Sequence, residues 1–306
     1  MTKVLLATEK PFSKAASEGI KKILAEAGYE TILLENYTNA ADLVNAVSDV
    51  DAMIIRSDKA TKEVIEAGKN LKLIVRAGAG YDNIDLTAAT ARGIVAMNTP
   101  GQNSNAVAEL TFGMLVFMAR GNFKGTSGTE LKGKKIGIHA YGNVGKNVAR
   151  IAKGFDMEVY AFDPFVSKEA IEKDGIKGVN SVEELYSTCH YISLNLPATD
   201  KTKNSINFEL LSKMPNGATV VNTARKEVIN EAELKKVFEA RPDFKYVSDV
   251  MPDNHADLLK FESRYYCTPK KQGAETSEAN VNAGLAAANQ IVKFFKNGDK
   301  MFQVNK

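Results

Sequence analysis

Short runs of apolar, often β-branched residues alternate with helical stretches twice along this chain of 306 residues, and one polar, glycine-rich link separates the two series. The strand-like runs of the first series are 4–7, 31–34, 52–56, 73–75 and 94–97. Those of the second are 136–140, 159–162, 191–194, 219–222 and 246–250. Residues 16–27 read as a helix, because Ile20, Ile23, Leu24 and Ala27 fall on one face at 3.6-residue spacing. A long apolar helix at 105–120 ends the first series, the link at 121–129 reads as a loop, and a last helix covers 278–296. Such alternation predicts parallel sheets with helices on both sides. The expected fold class is α/β, with two doubly wound parallel-sheet domains.

Composition narrows the function classes. The length suits two domains, and 44% hydrophobic with 25% charged residues is the balance of a folded globular chain. Against 40 basic residues stand 37 acidic ones, a net charge of +3 without a basic block, which gives nucleic-acid binding no support. The most apolar stretch, 110–119, is about half the ~20 residues that cross a bilayer, so no membrane partner is expected. The first seven residues lead into a strand and show no cleavage site. With only Cys189 and Cys267, no disulfide framework is expected, and the cytoplasm is the expected compartment. No metal site is expected.

The second series opens on Lys135-Ile136-Gly137-Ile138-His139-Ala140-Tyr141-Gly142-Asn143-Val144-Gly145. Strand, turn and helix follow in the spacing of the dinucleotide motif G-x-G-x-x-G, with Ala140 where the first glycine stands. Gly142 lets backbone approach a pyrophosphate, Gly145 lets the helix pack on the strand, and the helix N-terminus supplies N–H groups for the phosphates. A tight turn at Ala140 would prefer glycine. Asp163 ends the next strand, 18 residues after Gly145, where a carboxylate accepts from an adenosine ribose and repels a 2′-phosphate. The turn alone needs no ligand; turn and acid together point to NAD rather than NADP.

Several further blocks resemble one family, the D-isomer-specific 2-hydroxyacid dehydrogenases, and within it the short D-3-phosphoglycerate dehydrogenases. They are Ile55-Arg56-Ser57, the run 75–85 with Arg76, Gly78 and Ala79, the run 98–109 with Asn103, Asn222-Thr223-Ala224-Arg225, and Gly273-Ala274-Glu275-Thr276. The resemblance implies a Rossmann-type nucleotide domain at 101–280, inserted into a flavodoxin-like substrate domain of 1–100 plus 281–306, with the active site in the cleft between them. It implies a homodimer. Long relatives carry a regulatory domain beyond the last helix, and none is expected here.

On this resemblance Arg225 is the catalytic arginine that grips the substrate carboxylate and polarises its C2 oxygen, a task suited to a planar, bidentate guanidinium. Arg56, Ser57, Arg76, Gly78, Ala79 and Asn103 fall on substrate-contacting positions. Two additional arginines suit a phosphorylated 2-hydroxy acid. Cofactor contacts are implied at Tyr141, Gly142, Asn143, Val144, Gly145, Asp163, Pro197, Thr223, Ala224, Arg225 and Asp249, the last toward the nicotinamide amide.

The chain departs from the family at the proton relay. The residue after Pro269 is Lys270 instead of the usual histidine, and the glutamate that assists such a histidine is missing after Asp249-Val250. The histidines present are His139, His190 and His255, and none matches. Lys270, partly buried, is the expected acid/base, with Lys271 second; His255 is a candidate for a displaced histidine. The expected reaction is oxidation of D-3-phosphoglycerate. The alternatives are a hydroxypyruvate or glyoxylate reductase, and a non-enzymatic NAD-sensing protein, which the missing His and Glu keep open.

Overall fold

The computed structural model describes residues 1–305. The chain divides into two compact units, Met1–Asn103 with the stretch from Glu275 onward, and Ser104–Ala274. The divisions fall where helices begin, at Ser104 and just before the Thr276 N-cap, a few residues from the expected 100/101 and 280/281.

The first unit is built on five strands: β1 (Lys3–Thr8), β2 (Glu30–Glu35), β3 (Ala52–Ile55), β4 (Leu73–Arg76) and β5 (Val95–Asn98). They lie in the order β2-β1-β3-β4-β5, all parallel, the flavodoxin-like order. Each of the five expected runs is a strand. β3 is wholly buried, as a strand covered on both faces must be.

On one face lies the helix Lys14–Glu26, capped by the Ser13 hydroxyl, which accepts from the Ala16 N–H. Its Ile20 and Leu24 are fully buried, which stabilises the fold by roughly 1.5–3 kcal/mol each. The helix Ser277–Asn297 packs beside it through small residues. A Cβ on Gly284 would approach the Ile20 side chain to 2.9 Å, so glycine there sets how close the two helices come.

The second unit holds seven parallel strands: β6 (Lys135–His139), β7 (Glu158–Phe162), β8 (Lys177–Gly178), β9 (Tyr191–Leu194), β10 (Thr219–Asn222), β11 (Lys245–Ser248) and β12 (Tyr265–Cys267). Their order is β12-β11-β10-β9-β6-β7-β8. Counted from β6, this is the Rossmann order with a seventh strand added, and the direction of winding reverses between β6 and β9. β8 and β12 were not among the expected strands; two and three residues are too short for a period to show. The link expected as a loop opens on a short 3-10 turn, Gly121–Phe123. The helix Ser104–Ala119 is apolar around most of its circumference and packs against the helix Asn143–Gly154. Among the described residues, no helix is long and apolar enough to cross a membrane.

Candidate active site

Strand topology decides which candidates meet. In the second unit, Ala140, Asp163, Pro197, Thr223, Arg225, Asp249 and Lys270 each follow a strand by a few residues at most. Because all seven strands are parallel, those residues gather at one edge, the carboxyl edge, on either side of the β6/β9 reversal, where open α/β sheets bind ligands. In the first unit, Arg56, Ser57, Arg76, Gly78 and Ala79 follow β3 and β4, and Asn103 follows β5, again at one carboxyl edge of neighbouring strands.

The nucleotide turn has the geometry the motif requires. Ala140 adopts φ +76°, a left-handed conformation that favours glycine. Gly145 is buried, and a Cβ there would collide with the Ala140 carbonyl oxygen, so the close packing of helix on strand depends on it. Gly142 is the N-cap of the helix Asn143–Gly154; it provides no side-chain cap, and the space beside its Cα is open. The leading N–H groups of that helix are therefore offered to an anion, and the turn fits a pyrophosphate. Tyr141 turns its side chain into the core, 2% exposed, with its hydroxyl donating to Asp174, so only its backbone belongs to the turn. Asn143 is exposed and Val144 half-buried at the first helical positions.

Asp163 accepts from the Tyr141 N–H at 2.7 Å and from the Phe165 N–H at 2.8 Å. One carboxylate thus links the turn after β6 to the loop after β7 and keeps lone pairs for a ribose. It lines a cavity of about 460 Å³ with Phe162, Pro164, Phe165, Ser167 and Lys168, and the Phe165 ring is 93% exposed. That setting suits an adenosine.

Arg225 is half-buried after β10, with its guanidinium donating to the Ala224 carbonyl at 2.9 Å. Asn222, fully buried, fixes this corner: its amide donates to the Arg225 carbonyl and its Oδ1 accepts from the Ala224 N–H, both at 3.0 Å. The Thr223 hydroxyl meets that of Thr111 at 3.3 Å. Pro197 is exposed after β9, and its carbonyl accepts from Thr202 at 2.5 Å.

One expectation changes. Lys270 is exposed, not partly buried, because it rides a loop beyond β12. Lys271 beside it is also exposed. His255 holds one ring nitrogen, Nδ1, 2.7 Å from the Tyr265 hydroxyl. Asp249 is 1% exposed, and donors from its own chain surround its carboxylate: Thr268 Oγ1 at 2.8 Å, the Gln272 N–H at 3.0 Å and the Gly273 N–H at 2.8 Å. Of the other histidines, His139 is buried against Tyr186, and burial pulls its pKa down to about 4.

In the first unit, Arg56 is already engaged. It donates to the carbonyls of Lys10 and Pro11 at 3.2 and 3.3 Å and to Asn280 Oδ1 at 2.5 Å, and it lies over the Phe12 ring. Arg76 Nε donates to the Arg56 carbonyl at 3.1 Å, and a Cβ on Gly78 would occupy the space of the Arg76 guanidinium. Gly78, at φ +152°, is therefore what lets Arg76 fold back across the strand end. Asn98 donates to the exposed Ala79 carbonyl at 2.6 Å; Ser57 is exposed and Asn103 half-buried. Asn98, Asn222 and buried Asp58, which accepts from the Arg56 and Glu9 N–H groups and the Tyr37 hydroxyl, were not singled out from sequence. They hold backbone at strand ends, and a polar residue closing an apolar run is the one local signal they give.

Residues 103–269 match the D-isomer specific 2-hydroxyacid dehydrogenase family, NAD binding domain. A D-3-phosphoglycerate dehydrogenase of Methanocaldococcus jannaschii is 36% identical over 295 residues, covering 90% of this chain and 55% of that protein. A hydroxypyruvate reductase of Thermotoga maritima is 35% identical over 272 residues, covering 82% of this chain and 87% of that protein. Among solved structures, NAD+-bound 3-phosphoglycerate dehydrogenase of Entamoeba histolytica superposes with a TM-score of 0.87 at 47% identity, covering 100% of this chain and 99% of that one. The chain spans about half the length of the phosphoglycerate dehydrogenases it matches in Methanocaldococcus jannaschii and Archaeoglobus fulgidus.

Proposed function

The chain belongs to the D-isomer specific 2-hydroxyacid dehydrogenase family, its second unit being that family's NAD-binding domain, and from that membership we propose that it interconverts D-3-phosphoglycerate and 3-phosphohydroxypyruvate with NAD. The observation that carries the reading is the common carboxyl edge of the second sheet, which holds a pyrophosphate-binding turn, the ribose acid Asp163, Arg225 and the loop of Lys270. The phosphoglycerate dehydrogenases of Methanocaldococcus jannaschii and Entamoeba histolytica support the choice of substrate.

When bound, the nicotinamide accepts or supplies the hydride. This chain's residues do the rest. Arg225 binds the substrate carboxylate and polarises the C2 oxygen. In oxidation, Lys270 Nζ takes the proton from the C2 hydroxyl as hydride leaves C2; in reduction, its ammonium returns a proton to the C2 oxygen. Arg56 and Arg76 serve the phosphate.

A second reading, a hydroxypyruvate or glyoxylate reductase, is favoured by Arg56, whose guanidinium already has three acceptors of its own, and by the Thermotoga maritima relative. NADH oxidation measured with 3-phosphohydroxypyruvate, hydroxypyruvate and glyoxylate separates the two. The proposal expects the phosphorylated acid to lead in kcat/KM, with its advantage lost in Arg76→Ala. Equal rates on all three would favour the reductase, and no turnover with any of them would favour an NAD-sensing protein. Lys270→Ala should lower kcat at least a hundredfold while NADH still binds; near-full turnover would remove the lysine from the relay.

A further inference from the structure

Asp249 is placed to hold a loop. β11 and β12 run parallel, with Ser248 paired to Cys267. One residue beyond β12, the Thr268 N–H donates to the Ser248 carbonyl at 3.0 Å, extending the ladder by one bond. There the chain leaves the sheet through Pro269, Lys270 and Lys271 and returns at Gln272 and Gly273. Both ends of this excursion are tied to one carboxylate. Asp249 Oδ1 takes the Thr268 hydroxyl at 2.8 Å, the Gln272 N–H reaches Oδ1 and Oδ2 at 3.0 and 3.1 Å, and the Gly273 N–H donates to Oδ2 at 2.8 Å. A Cβ on Gly273 would lie 3.0 Å from Oδ2, so the absence of a side chain there is part of the fit.

The geometry points to Asp249 as the positioning residue for Lys270: its carboxylate closes the 269–271 loop and thereby fixes where the exposed lysine stands. The inference rests on the reading of Lys270 as the proton relay. It gives Asp249 a role beyond the contact with the nicotinamide amide that the family resemblance implies, because three donors of its own chain reach both oxygens. The physical reason for an acid here is plain. A buried side chain facing only donors must accept on every side; a carboxylate does so, whereas an amide accepts on one oxygen and presents its own N–H groups on the other side. Among the described residues, the Lys270 side chain has no hydrogen-bond or ion-pair partner, and the side chain is exposed. An exposed, four-carbon side chain keeps its rotamers, so the precision of its Nζ depends on how firmly the loop is anchored.

The test uses the full chain with NADH and 3-phosphohydroxypyruvate. In Asp249→Asn, hydrogen exchange of the Gln272 and Gly273 amides should rise at least tenfold. The kcat should fall about tenfold or more, while the Kd for NADH stays within about threefold of wild type. In a Lys270→Ala background, Asp249→Asn should produce no further loss of kcat, because both substitutions remove the same step. Thr268→Val, which deletes a single donor, gives a milder version in a chain expected to fold. Unchanged amide exchange in Asp249→Asn would overturn the inference whatever the turnover. So would a Kd for NADH that rises by the full factor lost in kcat/KM, which would make Asp249 a nicotinamide ligand, or fully additive losses in the double variant. Retained turnover in Lys270→Ala alone would overturn the relay reading instead, and amide exchange would still decide whether Asp249 closes the loop.

Discussion

The backbone N–H of Tyr141 donates to Asp163 Oδ2 at 2.7 Å, joining the turn after β6 to the end of β7. The contact braces the turn, and under the proposed function the remaining lone pairs of Asp163 serve the adenosine ribose. Asp163→Ala should therefore weaken NADH more than loss of one ribose hydrogen bond would, raising Kd at least tenfold, or about 1.4 kcal/mol. The preference for NADH over NADPH should shrink at the same time, since the repelling charge is gone. Titration of protein fluorescence with both cofactors checks this. An unchanged NADH affinity would show that Asp163 supports neither the ribose nor the shape of the turn.

Ala140 holds φ +76° where the dinucleotide motif has its first glycine. An L-residue with a Cβ loses about 1–2 kcal/mol in that region. Glycine would relieve the strain and offset part of the gain by its freer unfolded chain. Ala140→Gly is expected to stabilise by a net amount of about 0.5–1 kcal/mol, seen as a higher urea midpoint at unchanged slope. Ala140→Val, β-branched at the same φ, should lose more than Ala140→Gly gains. If the two variants move the midpoint in the same direction, the turn is not strained.

His139 sits 8% exposed beneath that turn, its Nδ1 3.2 Å from the Tyr186 hydroxyl. Burial pulls its pKa down from 6.5 to about 4, and the carboxylate of Asp163 opposes the shift. The folded value lies below the unfolded one, so the unfolded chain takes up the proton first as pH falls. The stabilisation is fully present above pH 6.5 and is lost as the pH drops toward 4. At about 1.4 kcal/mol per pKa unit, the contribution is on the order of 3 kcal/mol. Urea midpoints at pH 5 and pH 7 should differ more in wild type than in His139→Gln. His190, whose pKa is also lowered by burial and by Lys134 and Lys135, adds to the wild-type slope with the same sign. Equal slopes in wild type and variant would discard this account.

Much of this architecture could be read from residue order, because a doubly wound fold repeats a long, periodic pattern. Ile20 and Leu24 announce the buried face of the helix Lys14–Glu26, and both are fully buried. Gly142, Gly145 and Asp163 were legible for a different reason: their spacing reflects covalent geometry around a turn. What escaped is short or depends on residues far apart in sequence. β12 has three residues and takes its strand conformation from pairing with β11. The exposure of Lys270 follows from a loop that β12 launches. Arg56 meets Asn280, 224 positions away, and no local pattern foretells such a partner. The family resemblance marked Asp249 as a nicotinamide contact; that residues 268, 272 and 273 fold back to donate to its carboxylate is a pairing no local pattern shows.

The tail after the last helix reaches back to an edge strand. β5 lies at the rim of the first sheet, and the Val304 N–H donates to the Ala96 carbonyl at 2.8 Å while Gln303 bridges to Met97 in antiparallel sense. Asn305, 5% exposed, completes the cover: Oδ1 accepts from the Ala96 N–H at 2.7 Å, and its amide donates to the Ile94 carbonyl at 2.8 Å and to Thr90 Oγ1 at 3.2 Å. An open edge strand with unpaired backbone groups invites pairing with other chains. Asn305→Ala leaves the Ala96 N–H and the Ile94 carbonyl buried without these partners, and a stranded polar group costs about 1–3 kcal/mol. The variant is expected to lower the urea midpoint by about 2 kcal/mol of stability and to aggregate sooner on heating. Its affinity for NADH should match wild type, since the nucleotide turn lies in the other unit. A wild-type midpoint in Asn305→Ala would show that water replaces the amide at no loss and that the tail does not protect β5.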